Sequence, residues 1–525
     1  MAYSGQQAHI SLGQLGLLTD VPSGEIPRGA LIRADNISFE TGFITKAPGS
    51  LRYNSSPLPA GIVGLIDWWP NVVTQRLIAA CANGSIYRDI GDKLFSSNTA
   101  IATGLGTLTP RCMFVEGGQE TSSRTRKLFF FSGNNQLKVL DADGTSFANV
   151  ASPASDWTTP NYPTVGVVHR NRLWAFMKQR SYASDTGNHE TFTGGTIITQ
   201  NIFPGEGGDI VGVHVFKGRL FAFKEGGYVY YLDDSDTDSD NWNWRKLASN
   251  FGLASPHGII EAINDLIAVN ESGSPISYNA TNALGEIESA DILRTLQIEN
   301  YFRNSTSVSG VNVMHGLYYE AKKQVFFTWR TGFQVNNDTL FHIDLNRERP
   351  RPAFWSKDNA DCLALRKDIF KIKRPIYGSA DGYVYLMDQE DRLVGGSAYS
   401  GEFKIGHTDL RFLDEKLAHM NKLWDYLAVE FQPQGSWNLE VDVYIDGTFS
   451  ETISYLMDVR DDGLGTFTLD TDPLGREETQ TIQKPLHGSG RQISFHCRQA
   501  GSNQNFALAS FTIGFRVSDQ KASKA

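Results

Sequence analysis

The residues most able to carry chemistry form a dense run of carboxylates from Asp233 to Asp240. The run reads Asp-Asp-Ser-Asp-Thr-Asp-Ser-Asp, so five of its eight side chains are aspartates. Its carboxylate density resembles that of a calcium loop, but it lacks the glycine at the sixth position and the glutamate at the twelfth position of an EF-hand loop. We therefore interpret the run as a solvated acidic loop, and cation binding there stays open as the alternative.

A glycosidase would need two carboxylates facing each other across the scissile bond, one protonated and one ionised. The acidic residues that stand out fall instead in turn-like segments, where short polar side chains bend the backbone. They are Asp89, Asp141, Asp143, Asp233 and Asp234. The pattern predicts turn formation rather than catalysis at all five positions.

Other catalytic and cofactor signatures are missing from the sequence. The eleven histidines show no metal-ligand spacing, and there is no nucleophile elbow, phosphate loop or dinucleotide fingerprint. His169 and His214 occupy similar places ahead of a repeated motif, where lone strand histidines usually pack or face solvent. We predict that the chain is not an enzyme, with no catalytic, cofactor-binding or metal-binding residues.

Two tryptophan pairs, Trp68-Trp69 and Trp242-Asn243-Trp244, have the chemistry to stack on sugar rings. Such residues more often wedge between sheets or fill an interface, because a large ring buries much apolar area. A carbohydrate-active or carbohydrate-binding protein is therefore the alternative function rather than the favoured one.

Composition indicates a soluble protein built mainly of sheets. The 525 residues include 50 glycines and 11% aromatics, which is typical of many turns between β-favouring strands. The formal net charge is −10, which disfavours tight binding to nucleic acid but suits a surface past which nucleic acid slides. The scattered positions of Cys81, Cys112, Cys362 and Cys497 predict buried, unpaired thiols.

The sequence shows no secretory signal and no apolar run of the roughly 20 residues that a membrane helix needs. We expect synthesis in a cytoplasm and no membrane insertion.

One motif recurs along the chain and predicts the architecture. It consists of a polar residue, an aliphatic residue and a short apolar run. Its copies begin at Arg76, Lys127, Arg172, Arg219, Asp265, Gln324 and Arg374, at steps of about one propeller blade. Tight turns and alternating strands follow the motif, as at Asn83-Gly84 and Asp381-Gly382. We predict an all-β fold with a β-propeller of about seven blades over residues 56–395, with six or eight blades possible and a pair of β-sandwiches as the alternative.

The repeat stops near residue 396, and clean period-two alternation replaces it. Leu439, Val441 and Val443 alternate with polar residues, and Phe511, Ile513 and Phe515 do the same. Such alternation predicts strands with one buried face, and hence a C-terminal β-sandwich with a short polar tail over residues 396–525. Residues 1–55 are predicted to be an extended arm that binds the propeller or a neighbouring subunit.

Several segments resemble bacteriophage tail-hub, or nozzle, proteins of short-tailed phages. The opening segment at residues 15–22 contains the family's D-x-P stretch, at Asp20-Val21-Pro22, and residues 36–42 read as its N-x-x-F-x-x-G element. Lys46-Ala47-Pro48-Gly49 matches its K-x-P-G turn. Residues 184–192 resemble a mid-propeller element of the group, and residues 378–388 with 422–425 resemble its C-terminal half.

The resemblance implies a structural protein of the virion tail, made in the host cytoplasm. Such a protein forms a homo-hexameric ring below the adaptor ring, with tail needle, fibre or spike proteins beneath it. Genomic DNA is retained by the ring and contacts its lumen transiently during ejection. The resemblance implies no cofactor.

Overall fold

The computed structural model describes residues 5–22, 25–39, 43–89, 95, 100–118, 126–194, 196–248, 252–279, 290–305, 307–347, 349–368, 370–458 and 479–518. Residues 40–42 of the family-like pattern and the C-terminal tail from residue 519 lie outside these ranges.

Five short strands precede the repeat. They are β1 (Gln6–Ser11), β2 (Leu31–Asp35), β3 (Ile37–Ser38), β4 (Ile44–Lys46) and β5 (Gly49–Arg52).

Seven four-stranded antiparallel units follow in the described part of the chain, six of them formed by consecutive hairpins and the seventh completed by β5. Blade I holds β6 (Ile62–Trp68), β7 (Arg76–Cys81), β8 (Ser85–Arg88) and β9 (Ala100–Ala102). Blade II holds β10 (Met113–Gly117), β11 (Lys127–Phe131), β12 (Lys138–Leu140) and β13 (Phe147–Asn149). Blade III holds β14 (Val165–His169), β15 (Arg172–Met177), β16 (Arg180–Ala183) and β17 (Ile198–Asn201). Blade IV holds β18 (Ile210–Phe216), β19 (Arg219–Lys224), β20 (Val229–Asp233) and β21 (Asn243–Ala248).

The remaining blades differ in their connections. Blade V holds β22 (Ile259–Ala262), β23 (Asp265–Val269), β24 (Pro275–Ser277) and β25 (Ala290–Asp291). Two helices, α1 (Ile292–Leu296) and α2 (Glu299–Ser305), lead to blade VI. Blade VI holds β26 (Gly316–Tyr319), β27 (Gln324–Trp329), β28 (Thr339–Asp344) and β29 (Arg351–Trp355). Blade VII holds β30 (Cys362–Lys367), β31 (Lys373–Gly378) and β32 (Val384–Gln389), and the N-terminal strand β5 supplies its fourth strand.

The units close into a ring, which confirms the predicted propeller. Each first strand contacts the first strand of the next blade, and β30 of blade VII contacts β6 of blade I. The repeated motif marks the second strand of every blade, from β7 to β31. Apolar side chains fill the space between neighbouring blades, so that stacking buries faces that a single blade would leave exposed.

Glycine at two predicted hairpin turns meets a geometric requirement. Gly84 and Gly382 have φ of 81° and 80°, in the left-handed region that favours glycine. A Cβ at Gly84 would lie 2.2 Å from the carbonyl oxygen of Gly106, and one at Gly382 would lie 2.4 Å from that of Leu58. Glycine is therefore required at both turns, by the backbone angle and by the lack of room for a side chain.

A β-sandwich follows the propeller. A small hairpin, β33 (Leu393–Val394) and β34 (Ser397–Ala398), leads into it. Its own strands are β35 (Gly401–Ile405), β36 (Lys422–Phe431), β37 (Asn438–Ile445), β38 (Thr448–Leu456), β39 (Gln480–Pro485), β40 (Ser489–Gly490), β41 (Ile493–Gln499) and β42 (Ala507–Val517). One sheet runs β3-β4-β42-β36-β39, with β1 also paired to β42 and β40 to β36, and the other runs β2-β35-β41-β37-β38.

The N-terminal strands join both modules. β1, β3 and β4 pair within one sandwich sheet, β2 pairs with β35 of the other, and β5 completes blade VII. A single parallel pairing, Asp35 with Phe354, connects β2 to blade VI. One hydrophobic cluster extends from blades V and VI through the two helices into the sandwich, including Ile260, Phe302 and Phe495. The propeller and the sandwich therefore share a core.

Short 3₁₀ turns occur at Glu225–Gly227, Ser239–Asn241, Val308–Val313, Glu320–Lys322 and Glu415–His419. Within the ranges given above, no helix has the length and apolarity that a membrane span requires.

Candidate functional site

A short segment crosses the centre of the propeller at the end where the first strands begin. Residues 109–112 precede β10 of blade II, yet they bond to blade V and to the entry of blade VI, which lie opposite in the ring. His257 Nε2 donates to the Cys112 carbonyl at 2.8 Å, and His315 Nε2 donates to the Pro110 carbonyl at 2.7 Å. Arg111 donates to the Asn312 carbonyl at 3.3 Å. We call residues 109–112 the plug, because they occupy this end of the channel.

The two histidines that hold the plug are stacked, and their burial favours the uncharged imidazoles. Their ring centroids lie 4.1 Å apart with 17° between the planes. Burial lowers the pKa of His257 to about 4, and burial together with the neighbouring His257 lowers the pKa of His315 well below its usual value. Because a carbonyl oxygen can only accept, each ring must carry its proton on Nε2.

Cys112 belongs to the plug, and Cys81 and Cys362 lie close to it. Cys81, Cys112 and Cys362 are free and buried, as is Cys497, which confirms the prediction of buried thiols. Cys112 and Cys362 direct Sγ at the carbonyls of Val63 and Ile62, at 3.8 and 3.5 Å. Burial raises the pKa of both Cys81 and Cys112 to about 12, so these thiols are poor nucleophiles.

The other end of the channel opens into a depression, which we call the mouth. Between blades VII, I and II it holds a cavity of about 580 Å³. A second cavity of about 710 Å³ reaches blades V and VI and shares Leu365, Lys371 and Lys373 with the first. The charged residues that line the two cavities are Asp67, Glu116, Arg126, Glu261, Glu320, Lys367, Lys371 and Lys373. The mouth is therefore cationic beside blade VII and acidic beside blades V and VI.

Asp67 organises the cationic side of the mouth. Its carboxylate accepts from the Lys367 backbone N–H at 3.0 Å, from Gln75 Nε2 at 2.7 Å and from Trp69 Nε1 at 3.2 Å. The Lys367 ammonium lies 5.3 Å from the centre of the Trp69 ring, within cation–π range. Blades VII and I are thus joined around one carboxylate.

The acidic run begins at Asp233, the last residue of β20, and continues through the loop to β21. Asp234 Oδ2 lies 2.7 Å from both His169 Nε2 and Arg170 Nε, which belong to blade III. Asp238 Oδ1 accepts the Asp240 backbone N–H at 3.0 Å. Within the described part of the chain, no group of three or more His, Cys, Asp or Glu side chains could hold a metal ion. The carboxylates instead shape the loop and pair with cations.

The other turn aspartates also hold structure. Asp89 is buried and accepts from the Leu77 backbone N–H at 2.8 Å and from the Tyr53 hydroxyl at 2.5 Å. Asp141 pairs with Lys127 at 2.6 Å. Backbone and side-chain hydrogen bonds from Thr145 and Ser146 lower the pKa of Asp143 to about 2. The structure brings none of these carboxylates to the mouth.

The remaining candidates are packing residues. Trp68, Trp242 and Trp244 are buried between strands and offer no surface for a sugar ring. His214 on β18 is half-buried, and burial lowers its pKa to about 4.

Sequence reasoning missed the residues that define both ends of the channel. The plug histidines belong to different blades, and the mouth lysines lie at or near the tip of one hairpin, so neither set has a recognisable spacing.

No known protein family matches the sequence, and no curated protein matches it. Solved structures share little sequence with it. YCF48 bound to a D1 peptide is 12% identical over 65% of this chain and 97% of that one, with a TM-score of 0.39. The WD40 repeats of RRP9 are 7% identical over 66% and 99%, with a TM-score of 0.40. The extracellular domain of the one-component system BT4673 from B. thetaiotaomicron is 11% identical over 83% and 56%, with a TM-score of 0.41. The propeller assignment rests on the strand pairing and the closed ring.

Proposed function

We propose that the chain is a virion structural protein, the ring-forming tail-hub or nozzle subunit of a short-tailed bacteriophage. In this role it retains packaged DNA below the portal and adaptor rings and lets the DNA pass during ejection. It is not an enzyme, and it needs no cofactor.

The observation that carries the proposal is the position of Asn36, the first residue of the family-like N-x-x-F-x-x-G element. Its backbone N–H donates to the Phe354 carbonyl at 2.7 Å, and its Oδ1 accepts from the Lys357 N–H at 3.0 Å. Its Nδ2 donates to the Ser400 carbonyl at 2.8 Å. One asparagine therefore connects blade VI to the chain entering the sandwich.

Other family-like segments lie at the same joint. The Leu17 N–H donates to the Pro352 carbonyl at 3.1 Å, and the Gly49 N–H donates to the Asp391 carbonyl at 2.9 Å. Residues 422–425 begin β36, which lies between β42 and β39 in one sandwich sheet. Segments that resemble the family thus build the connection between the two modules, which a rigid ring subunit needs in order to hold a fixed geometry.

The plug determines which route DNA could take through the proposed ring. Because residues 109–112 occupy one end of the propeller channel, DNA would travel through the lumen of the assembled ring and not through an individual propeller. The net charge of −10 supports a lumen to which DNA does not adhere.

Native mass measurement, alone and with the adaptor and portal proteins, tests the proposal. We expect a closed homo-oligomer, six copies by analogy with the family, either alone or on the adaptor ring. A chain that stays monomeric under all of these conditions would contradict it.

A further inference from the structure

The mouth of the propeller carries lysines and exposed apolar side chains that the proposed ring function does not explain. We propose that it binds an acidic, partly apolar peptide segment of a partner protein. This inference concerns the propeller of a single subunit and does not rest on ring formation.

The cationic side of the mouth carries an excess of positive charge. Asp67 is engaged by three donors of blades I and VII, and Glu116 pairs with Arg126 at 3.0 Å. Among the residues that the structure describes, no carboxylate lies within 4.0 Å of the ammonium groups of Lys367, Lys371 and Lys373. Three lysines therefore line one cavity with no described carboxylate at ion-pair distance, and they outnumber the two carboxylates, Asp67 and Glu116, that line it with them.

Exposed apolar side chains lie at or next to residues that line the cavity. Val72 and Val73 at the tip of the hairpin after β6 are 78% and 83% exposed, and Phe370 at the tip of the hairpin after β30 is 74% exposed. Val72 and Lys371 line the same cavity. Exposed apolar groups that cluster beside cations are typical of a protein-binding surface, whereas single exposed apolar residues are ordinary on any protein.

Both hairpin tips are held in place before any partner arrives. Asn71 Oδ1 accepts from the Val73 and Thr74 N–H groups at 3.0 and 2.8 Å. Asp368 Oδ1 accepts from the Phe370 and Ile372 N–H groups at 2.8 and 2.9 Å. A binding surface of this kind loses little conformational entropy when its ligand docks.

The charge pattern favours a peptide over nucleic acid. Glu261 and Glu320 line the side of the mouth opposite Lys371 and would repel a continuous polyanion. A short peptide can set its carboxylates against the lysines and its apolar side chains against Val72 and Phe370. Binding should weaken with added salt, because the lysine contacts are solvent-exposed.

Fluorescence anisotropy with a labelled decapeptide of alternating glutamate and leucine tests the proposal. The comparison is between wild type, Lys371→Glu/Lys373→Glu and Phe370→Ser. Lys178→Glu/Lys416→Glu is the matched control, since it reverses two exposed lysines away from the mouth. We expect the mouth charge reversal to raise the Kd at least about tenfold, Phe370→Ser to raise it about threefold, and the control to stay within about twofold.

Three results would overturn the proposal. The first is no binding by wild type, and the second is equal binding by the charge-reversed variant. The third is equally tight, mouth-dependent binding of a single-stranded DNA oligonucleotide, which would make the mouth a general anion surface. If instead Lys371→Glu/Lys373→Glu abolishes ring formation while the peptide does not bind, the mouth contacts a second copy of the chain. A failure of ring formation alone would leave the peptide result standing, so the two proposals can fail separately.

Discussion

Arg351 fixes the N-terminal segment to blade VI from a fully buried position. Its guanidinium pairs with Asp344 at 2.8 Å and donates to the carbonyls of Gly13 and Phe39 at 2.6 and 2.7 Å. The planar cation satisfies three partners at once from its forked donors.

Replacement of Arg351 should therefore be costly. We expect Arg351→Ala to lower the free energy of unfolding by about 3–5 kcal/mol, because it leaves the Asp344 carboxylate buried without its partner. The exposed pair Arg516–Asp425, at 2.7 Å, is the control, and Arg516→Ala should cost about 1 kcal/mol or less. Urea denaturation measures both, and equal losses for the two variants would contradict this view of the joint.

The plug histidines make stability depend on pH. Burial holds the pKa of His257 at about 4 in the folded chain, below the value near 6.5 of an unfolded histidine. The stabilisation is therefore complete above pH 6.5 and is lost as pH falls toward 4, because the unfolded chain binds the extra proton. The loss should be on the order of 3 kcal/mol for His257.

Thermal unfolding between pH 7.5 and 4.5 measures this dependence. His257→Gln retains a side-chain donor and should reduce the acid-induced loss, whereas His487→Gln, at an exposed position, should leave it unchanged. An identical acid profile for His257→Gln and wild type would show that the plug does not titrate in this range.

At the scale of elements, β5 closes the propeller by giving blade VII its outer strand. Leu51 pairs with Leu386 of β32, and Ser50 pairs with Val394 of β33. The first and last parts of the repeat are therefore joined by hydrogen bonds across more than 300 residues of chain.

A proline in β5 should open this closure. Leu51 is half exposed, so Leu51→Pro changes mainly the backbone, while Leu51→Thr changes the side chain and keeps the N–H. We expect Leu51→Pro to cost about 3 kcal/mol or more and Leu51→Thr less than about 1 kcal/mol. Comparable midpoints in urea for the two variants would mean that β5 contributes little to closure.

Strands that depend on local sequence features could be predicted, and pairings between segments far apart in the sequence could not. The second strand of every blade was predicted because its apolar run and adjoining turn are local features. The places of β1 to β4 in the sandwich and of β5 in blade VII depend on partners far along the chain, such as Phe511 for Ile10. Residues 1–55 were predicted to be an extended arm, because nothing in their local sequence indicates these pairings.

No sequence motif predicted the candidate site. Lys367, Lys371 and Lys373 read as ordinary hairpin residues until blades VII and I face each other around Asp67. His257 and His315 are separated in the sequence by all of blade V and by its connection to blade VI, and nothing in their spacing indicates that they stack.

At the scale of the whole molecule, the shared core makes the propeller and sandwich one stiff unit. The cluster that includes Ile260, Phe302 and Phe495 packs continuously from blades V and VI into the sandwich. A stiff subunit suits a ring in which each copy must present the same surfaces to its neighbours. The net charge of −10 belongs to this scale as well, since in the proposed ring it would act on DNA through the summed field.

Electron cryomicroscopy of the protein assembled on its adaptor ring tests the central claim most directly. We expect a closed ring, with intact plugged propellers around a wider lumen and acidic loops facing that lumen. An open filament, an unassembled monomer or a lumen lined by basic side chains would contradict the account.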